Sequence, residues 1–222
     1  MSGLKLFVPV EGSSDQAFFE GFFKRAFPAL LVDVKIDPDH SKKESVLNNI
    51  KSDLTLLYRR ANTSFLYIVD ADTASKNAKG YHATLAEFQR QFGEKGYQLD
   101  SSTQQQDSLI VFNNPDLLPI ALWIMPNNAS DGMFEDWIAD CIAQDPMFAQ
   151  AKSAVSTIQN PIFTAVQKPK ADVYTWLAWQ KRPALSLVYA LQKNLITSSP
   201  TFQNFKQQLT QFIKRLEQET QT

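Results

Sequence analysis

Short apolar runs of strand length alternate with amphipathic stretches of helix length through the first half of this chain, and that alternation restricts its fold more than any other feature. The strand candidates are Leu4–Val10, Leu31–Ile36, Ser64–Val69, Ser108–Phe112 and Ile120–Met125. From Ser14 to Phe27, Phe18, Phe19, Phe22, Phe23, Ala26 and Phe27 form a one-face helical stripe. Its start, Ser13-Ser14-Asp15-Gln16, has the pattern of a capping box. A second helix opens at Ser41-Lys42-Lys43-Glu44 and runs through Val46, Leu47, Ile50, Leu54, Leu57 and Tyr58. A third covers Tyr81 to Phe92 and stops near Gly93 and Gly96. Strands separated by helices of this length need crossover connections. The expectation is an α/β fold, a mainly parallel central sheet flanked by helices on both faces in a Rossmann-like sandwich.

From Gly132 onward only helical patterns follow. Met133, Phe134, Trp137, Ile138 and Cys141 make one amphipathic stretch, and Asp145-Pro146 opens the next with a cap and a proline at the first helical position. Another helix begins at Val173 and is broken by Pro183. Ser199-Pro200 opens a long final helix with Phe202, Phe205, Leu209, Phe212, Ile213 and Leu216 facing one way. No linker sets this part apart. The expected division is an α/β domain over 1–145 and a helical extension over 146–222 packed on the same core. Thr103-Gln104-Gln105-Gln106 reads as a surface loop.

The 222 residues suffice for one sizeable core, and 44% hydrophobic with 20% charged residues is ordinary for a globular protein. A net charge of −1 supplies no molecule-wide field toward nucleic acid or an anionic membrane. One Cys excludes an internal disulfide framework, and with two His it cannot make a zinc site of the usual kind. The run Leu4–Val10 is too short for a signal peptide or a membrane span, so the expectation is a cytoplasmic protein without a membrane partner.

Two of the strand candidates end in acids. Leu66-Tyr67-Ile68-Val69 runs into Asp70-Ala71-Asp72, and Leu4–Val10 runs into Glu11-Gly12. Parallel α/β sheets bind ligands at the carboxyl ends of their strands, and neighbouring strands lie about 5 Å apart. If the two are neighbours, Glu11, Asp70 and Asp72 converge, with Asp70 and Asp72 on the same side while strand geometry persists. Clustered carboxylates repel one another and hold protons unless a cation intervenes. Mg2+ (or Mn2+) suits such a site, since it takes few carboxylates and uses substrate phosphate as a further ligand. Taken alone, an Asp-x-Asp serves equally as a turn former and helix cap. Glu11 tilts the reading, because Glu is not a preferred turn residue and Gly12 lets the backbone turn sharply into the helix. Asp15 reads as a favourable acid in a first helical turn.

Val10-Glu11-Gly12-Ser13-Ser14-Asp15, followed by the strand ending Asp70-Ala71-Asp72, resembles the Toprim (topoisomerase–primase) catalytic domain. More narrowly, the chain is similar to small stand-alone Toprim-related proteins, relatives of the overcoming-lysogenisation-defect nucleases. Those relatives also resemble it at Leu122-Trp123-Ile124-Met125-Pro126-Asn127-Asn128 and at Gly132-Met133-Phe134-Glu135. The likeness runs from Leu4 to Asp136. It implies a magnesium site with Glu11 as the acid/base residue, Asp70 and Asp72 as metal ligands, and Glu135 as a further acid. It also implies phosphoryl transfer or phosphodiester cleavage on nucleic acid. Thr73-Ala74-Ser75-Lys76 stands where many Toprim domains have a Gly, and no Gly-rich phosphate loop is present.

Around these acids, Asp136 is a second metal candidate beside Glu135, although the helix dipole alone favours two acids at that helix start. Gly12, Lys76 and Lys79 flank the site as candidate substrate contacts, while Lys168 and Lys170 read as solvated surface lysines. His82 reads as a surface or packing residue. Two other readings stay open. One is a non-catalytic Toprim-like binding or regulatory protein. The other is a phosphatase of haloacid-dehalogenase type, which carries a similar Asp-x-Asp-Thr but at its first strand. The Asp-x-Asp of glycosyltransferases is a further look-alike, and neither enzyme explains Glu11-Gly12.

Overall fold

The computed structural model describes residues 3–36, 43–60, 62–73, 79–183 and 186–221. Its order is β1 (Lys5–Pro9), α1 (Ser13–Ala26), β2 (Leu31–Lys35), α2 (Lys43–Leu57), β3 (Thr63–Asp70), α3 (Gly80–Gly93), β4 (Gln98–Leu99), β5 (Ile110–Asn113) and β6 (Ile120–Met125). The helices α4 (Phe134–Cys141), α5 (Pro146–Ser156), α6 (Lys168–Ala178), α7 (Leu187–Gln192) and α8 (Pro200–Glu219) follow. The six strands form one sheet in the order β2-β1-β3-β6-β5-β4. The first four of these are mutually parallel, and β5 runs antiparallel to both β6 and β4. The expected α/β architecture, a mainly parallel sheet between helical layers with further helices at the C-terminus, is the one observed.

The period of two along each strand divides the core into two clusters. Leu6, Val8, Leu66, Ile68, Ala121, Trp123 and Met125 face one way and pack beneath α1, α4 and the C-terminal helices. Phe7, Phe65, Tyr67, Val69, Leu122 and Ile124 face the other way, under α2 and α3. The first cluster extends without a break from Leu4 to Leu216, so residues of α5 to α8 share a core with the sheet. Aromatic rings dominate it. Phe19 and Phe22 of α1 and Trp123 of β6 all meet Phe205 of α8, with Trp123 edge-on to Phe205 at 4.8 Å. No described helix is long and apolar enough to cross a membrane.

Several helix starts match the residues that announce them. Asp145 accepts the Met147 N–H at 2.8 Å ahead of Pro146, and Ser199 accepts that of Phe202 at 3.1 Å ahead of Pro200. The first helix differs from expectation by one residue. Gly12 is its N-cap, Asp15 takes the third helical position, and the Gly12 N–H donates to Asp15 Oδ2 at 3.1 Å. Gln16, displaced from the cap, reaches the carbonyl of Val34 at 3.1 Å instead. The helix expected from Val173 begins at Lys168, where Lys168 pairs with buried Asp172 one turn on. The short strand β4 has no apolar run to announce it and exists through pairing with β5. Ser41 and Lys42 lie outside the described residues.

Candidate functional site

Register brings the carboxyl ends of the central strands to one edge of the sheet. Lys5, Leu6 and Phe7 of β1 pair with Thr63, Ser64 and Phe65 of β3, and Asp70 at the end of β3 pairs with Met125 at the end of β6. The Val10 N–H donates to the Lys35 carbonyl at 2.8 Å, carrying the pairing of β1 with β2 one residue further. Glu11 follows immediately. Its Oε1 accepts the backbone N–H of Asp70 at 2.7 Å, so the acid after β1 lies across the end of β3. Asp70 in turn accepts the N–H of Phe134 through Oδ1 at 2.8 Å. That N–H belongs to the first residue of α4, and a helix N-terminus presents unpaired donors and a positive dipole end to an anion. The adjacency of Glu11 and Asp70 expected from the sequence is present.

Asp72 departs from the expectation that it shares a side with Asp70. The strand ends at Asp70. Beyond it the Ala71 N–H still bonds the Met125 carbonyl at 3.0 Å, but Asp72 turns to a left-handed conformation with φ 61°. Asp72 and Gly132 exchange backbone hydrogen bonds of 2.8 and 3.2 Å, which pin this turn to the loop before α4. Asp tolerates such a conformation better than most residues. Its carboxylate then meets the ammonium of Lys43, with Oδ2 to Nζ at 2.6 Å. Lys43 Nζ also donates to the Ala71 carbonyl at 3.0 Å and to Thr84 Oγ1 of α3 at 3.3 Å.

The remaining candidates divide by partner. Glu135 is buried on α4 and forms an ion pair with Lys170 of α6 at 3.3 Å. Asp136, a metal candidate in the sequence, caps its own helix, with its Oδ2 accepting the Met133 N–H at 2.9 Å. Gly12 is extended, with φ −138°, so the sharp turn does not need a glycine there, and an added Cβ would meet only Asp15 Oδ2 at an ordinary 3.6 Å. Lys79 is exposed at the N-cap of α3, where its charge acts on Glu87. His82 is exposed against the Tyr81 ring. Lys76 lies outside the described residues.

Burial and mutual repulsion dominate the electrostatics. Asp70 is held well above the usual carboxylate range, first by desolvation and then by Glu11, Asp15, Glu135 and Asp72. Glu11 is pushed up by desolvation, against the pull of Lys43 and of the Asp70 N–H. Asp15 rises to about 6 because it is buried and faces Glu135. Without a cation, desolvation and mutual repulsion both oppose ionising Glu11 and Asp70 together. Among the described residues, no three Asp, Glu, His or Cys side chains are grouped to hold a metal ion as they stand. The other acids each have a partner of their own. Asp72 faces Lys43, Glu135 faces Lys170, and Asp136 caps its helix.

Three participants escaped the sequence reading. Asp15 has the place of an ordinary acid in a first helical turn, yet its charge acts on both Glu11 and Asp70. Lys43 lies three and four residues before Val46 and Leu47, so a lysine on the apolar face of α2 was the available signal. Nothing local marks Lys170, because its partner lies on another helix.

No curated protein and no solved structure matches the chain in these comparisons. One family model matches residues 6–214, from β1 into α8 and so across both the sheet and the C-terminal helices. The chain belongs to the family described as "Protein of unknown function (DUF3226)".

Proposed function

We propose that this is a cytoplasmic, Mg2+- or Mn2+-dependent enzyme of the Toprim type that transfers phosphoryl groups or cleaves phosphodiesters in nucleic acid. One observation carries the reading. Glu11 and Asp70 leave the ends of adjacent parallel strands, the Asp70 N–H donates to Glu11 Oε1 at 2.7 Å, and desolvation in this half-buried site opposes ionising both carboxyls together. The donors there are all carboxylate oxygens, which suit a hard cation, and magnesium needs only one or two of them when water and substrate phosphate complete its shell. Glu11 and Asp70 would hold the ion, and Asp72 would join them on release from Lys43. The ion would supply charge neutralisation at a phosphate oxygen and a more acidic water.

The chain's own groups perform the rest. The Phe134 N–H anchors Asp70 through Oδ1 and leaves Oδ2 as the oxygen that would meet a cation. Glu11, whose carboxylate lies across the end of β3, would act as the acid/base residue beside the bound ion. The exposed Lys79, beside α3, is a candidate contact for the nucleic-acid backbone.

The test is cleavage of single- and double-stranded DNA and RNA with Mg2+ or Mn2+. Activity should appear with the wild type and fall by about 10³-fold or more in Asp70→Asn and in Glu11→Gln. Activity that survives both substitutions would falsify the assignment. A second reading is a non-catalytic binding protein, favoured by the lysines already paired with Asp72 and Glu135. Nucleic-acid binding without cleavage, and without metal uptake at millimolar concentrations, would favour it.

A further inference from the structure

Lysine is almost never buried unless it is paired, and Lys43 has only 8% of its side chain exposed. It also stands in the first described turn of α2, toward the positive end of the helix dipole, where a cation is disfavoured. Its ammonium has three donors, and the three contacts it makes employ them: Asp72 Oδ2, the Ala71 carbonyl and Thr84 Oγ1. The partner carboxylate is the more open side of the pair, with 39% of the Asp72 side chain exposed. Glu11 also feels this charge, which is the largest of the influences favouring its ionised form.

We infer that Lys43 is a resident counter-cation, which holds the Asp72 carboxylate in the metal-free protein and must release it when a divalent cation is taken up. The inference rests on the reading of Glu11 and Asp70 as cation ligands. Two cations on one carboxylate in a partly dry site repel strongly. Lysine carries its charge on a flexible four-carbon stem, so it can withdraw while the Asp72 backbone stays pinned to Gly132. Lys43 therefore acts as a positioning residue that sets the metal concentration at which the site fills. It also keeps three segments together when the site is empty: the start of α2, the end of β3 and the first turns of α3.

A purely structural clamp and a resident counter-cation predict opposite signs. Loss of a clamp loosens the site and weakens metal binding, whereas loss of a competitor strengthens it. Calorimetric titration of the full chain with MgCl2 and with MnCl2 separates the two. In Lys43→Gln the affinity should rise by about tenfold, the scale of one charge-assisted hydrogen bond. Its metal-free melting temperature should fall, and the rise in melting temperature on adding metal should be larger than in the wild type. Asp72→Asn alone should weaken binding by about tenfold. In the Asp72→Asn background, Lys43→Gln should change the affinity by less than it does in the wild type, because the contested carboxylate is gone and only the influence of Lys43 on Glu11 remains.

Unchanged or weaker binding by Lys43→Gln, with native circular dichroism, overturns the inference and leaves the metal site standing. If Lys43→Gln does not fold, Lys43→Met replaces it with the same expected rise in affinity, and unchanged affinity in Asp72→Asn overturns the inference as well. No binding by the wild type or any variant overturns the inference and the proposed function together.

Discussion

Gly132 is the position where a single methyl group should do most damage to the candidate site. Its φ is +147°, a conformation that side chains rarely adopt, and it holds the Asp72 turn through the paired backbone hydrogen bonds. An added Cβ would stand 2.9 Å from Asp136 Oδ2 and 3.0 Å from Pro126 Cδ. The proline ring is rigid, so relief must come from Asp136, the carboxylate that caps Met133. Forcing an L-residue into such a conformation costs about 1–3 kcal/mol. Displacing the cap adds roughly 0.5–2 kcal/mol. Gly132→Ala should therefore lose about 1.5–5 kcal/mol, equivalent to a melting point lower by roughly 3–20 °C in a chain of this size. Urea denaturation followed by tryptophan fluorescence measures it. Gly12→Ala is the matched control, because its φ is −138° and its Cβ would have an ordinary 3.6 Å neighbour. That variant should stay within about 0.5 kcal/mol of the wild type. If Gly132→Ala were equally harmless, the geometry assigned to the Asp72–Gly132 bridge would be wrong.

Asp15, raised from 3.8 to about 6, makes stability fall as pH rises. The unfolded chain releases this proton first, near its ordinary value, while the folded chain keeps it until about pH 6, so the native state binds more protons in between. In metal-free buffer the loss between about pH 4 and 6 should approach 2–3 kcal/mol. Asp15→Asn keeps an acceptor for the Gly12 N–H and should flatten that part of the curve, and an undiminished slope in denaturation series would count against the assignment. Cys141, buried and pushed up to about 12, should ignore a thiol reagent at pH 8 in the native protein and react fully in denaturant. Rapid native labelling would place it elsewhere than under α8.

The local pattern of residues was enough to determine the layers of this fold. The spacing of Phe18, Phe19, Phe22 and Phe23 can bury one helical face only, and they are buried on α1. The unbroken run before Asp70 can be satisfied only inside a sheet, and β3 is its buried third strand in chain order. Caps at Asp145 and Ser199 are equally local, since donor and acceptor lie within three residues. The convergence of Glu11 and Asp70 needed only the adjacency of two strands, and so it too could be anticipated.

Tertiary structure decided what each acid does. The same residue types serve as helix cap at Asp136, as ion-pair partner at Asp72 and Glu135, and as a buried, repelled pair at Glu11 and Asp70. Composition and spacing do not separate these roles, because all of them except the Asp136 cap depend on a partner distant in sequence. Lys43 reaches Asp72 from another helix, Lys170 reaches Glu135 from α6, and Phe134 reaches Asp70 across the sheet edge. Backbone periodicity is a short-range property, and the sequence determined whatever follows from it. The electrostatics of a buried carboxylate depend on everything that surrounds it, and those surroundings are assembled only when the chain has folded.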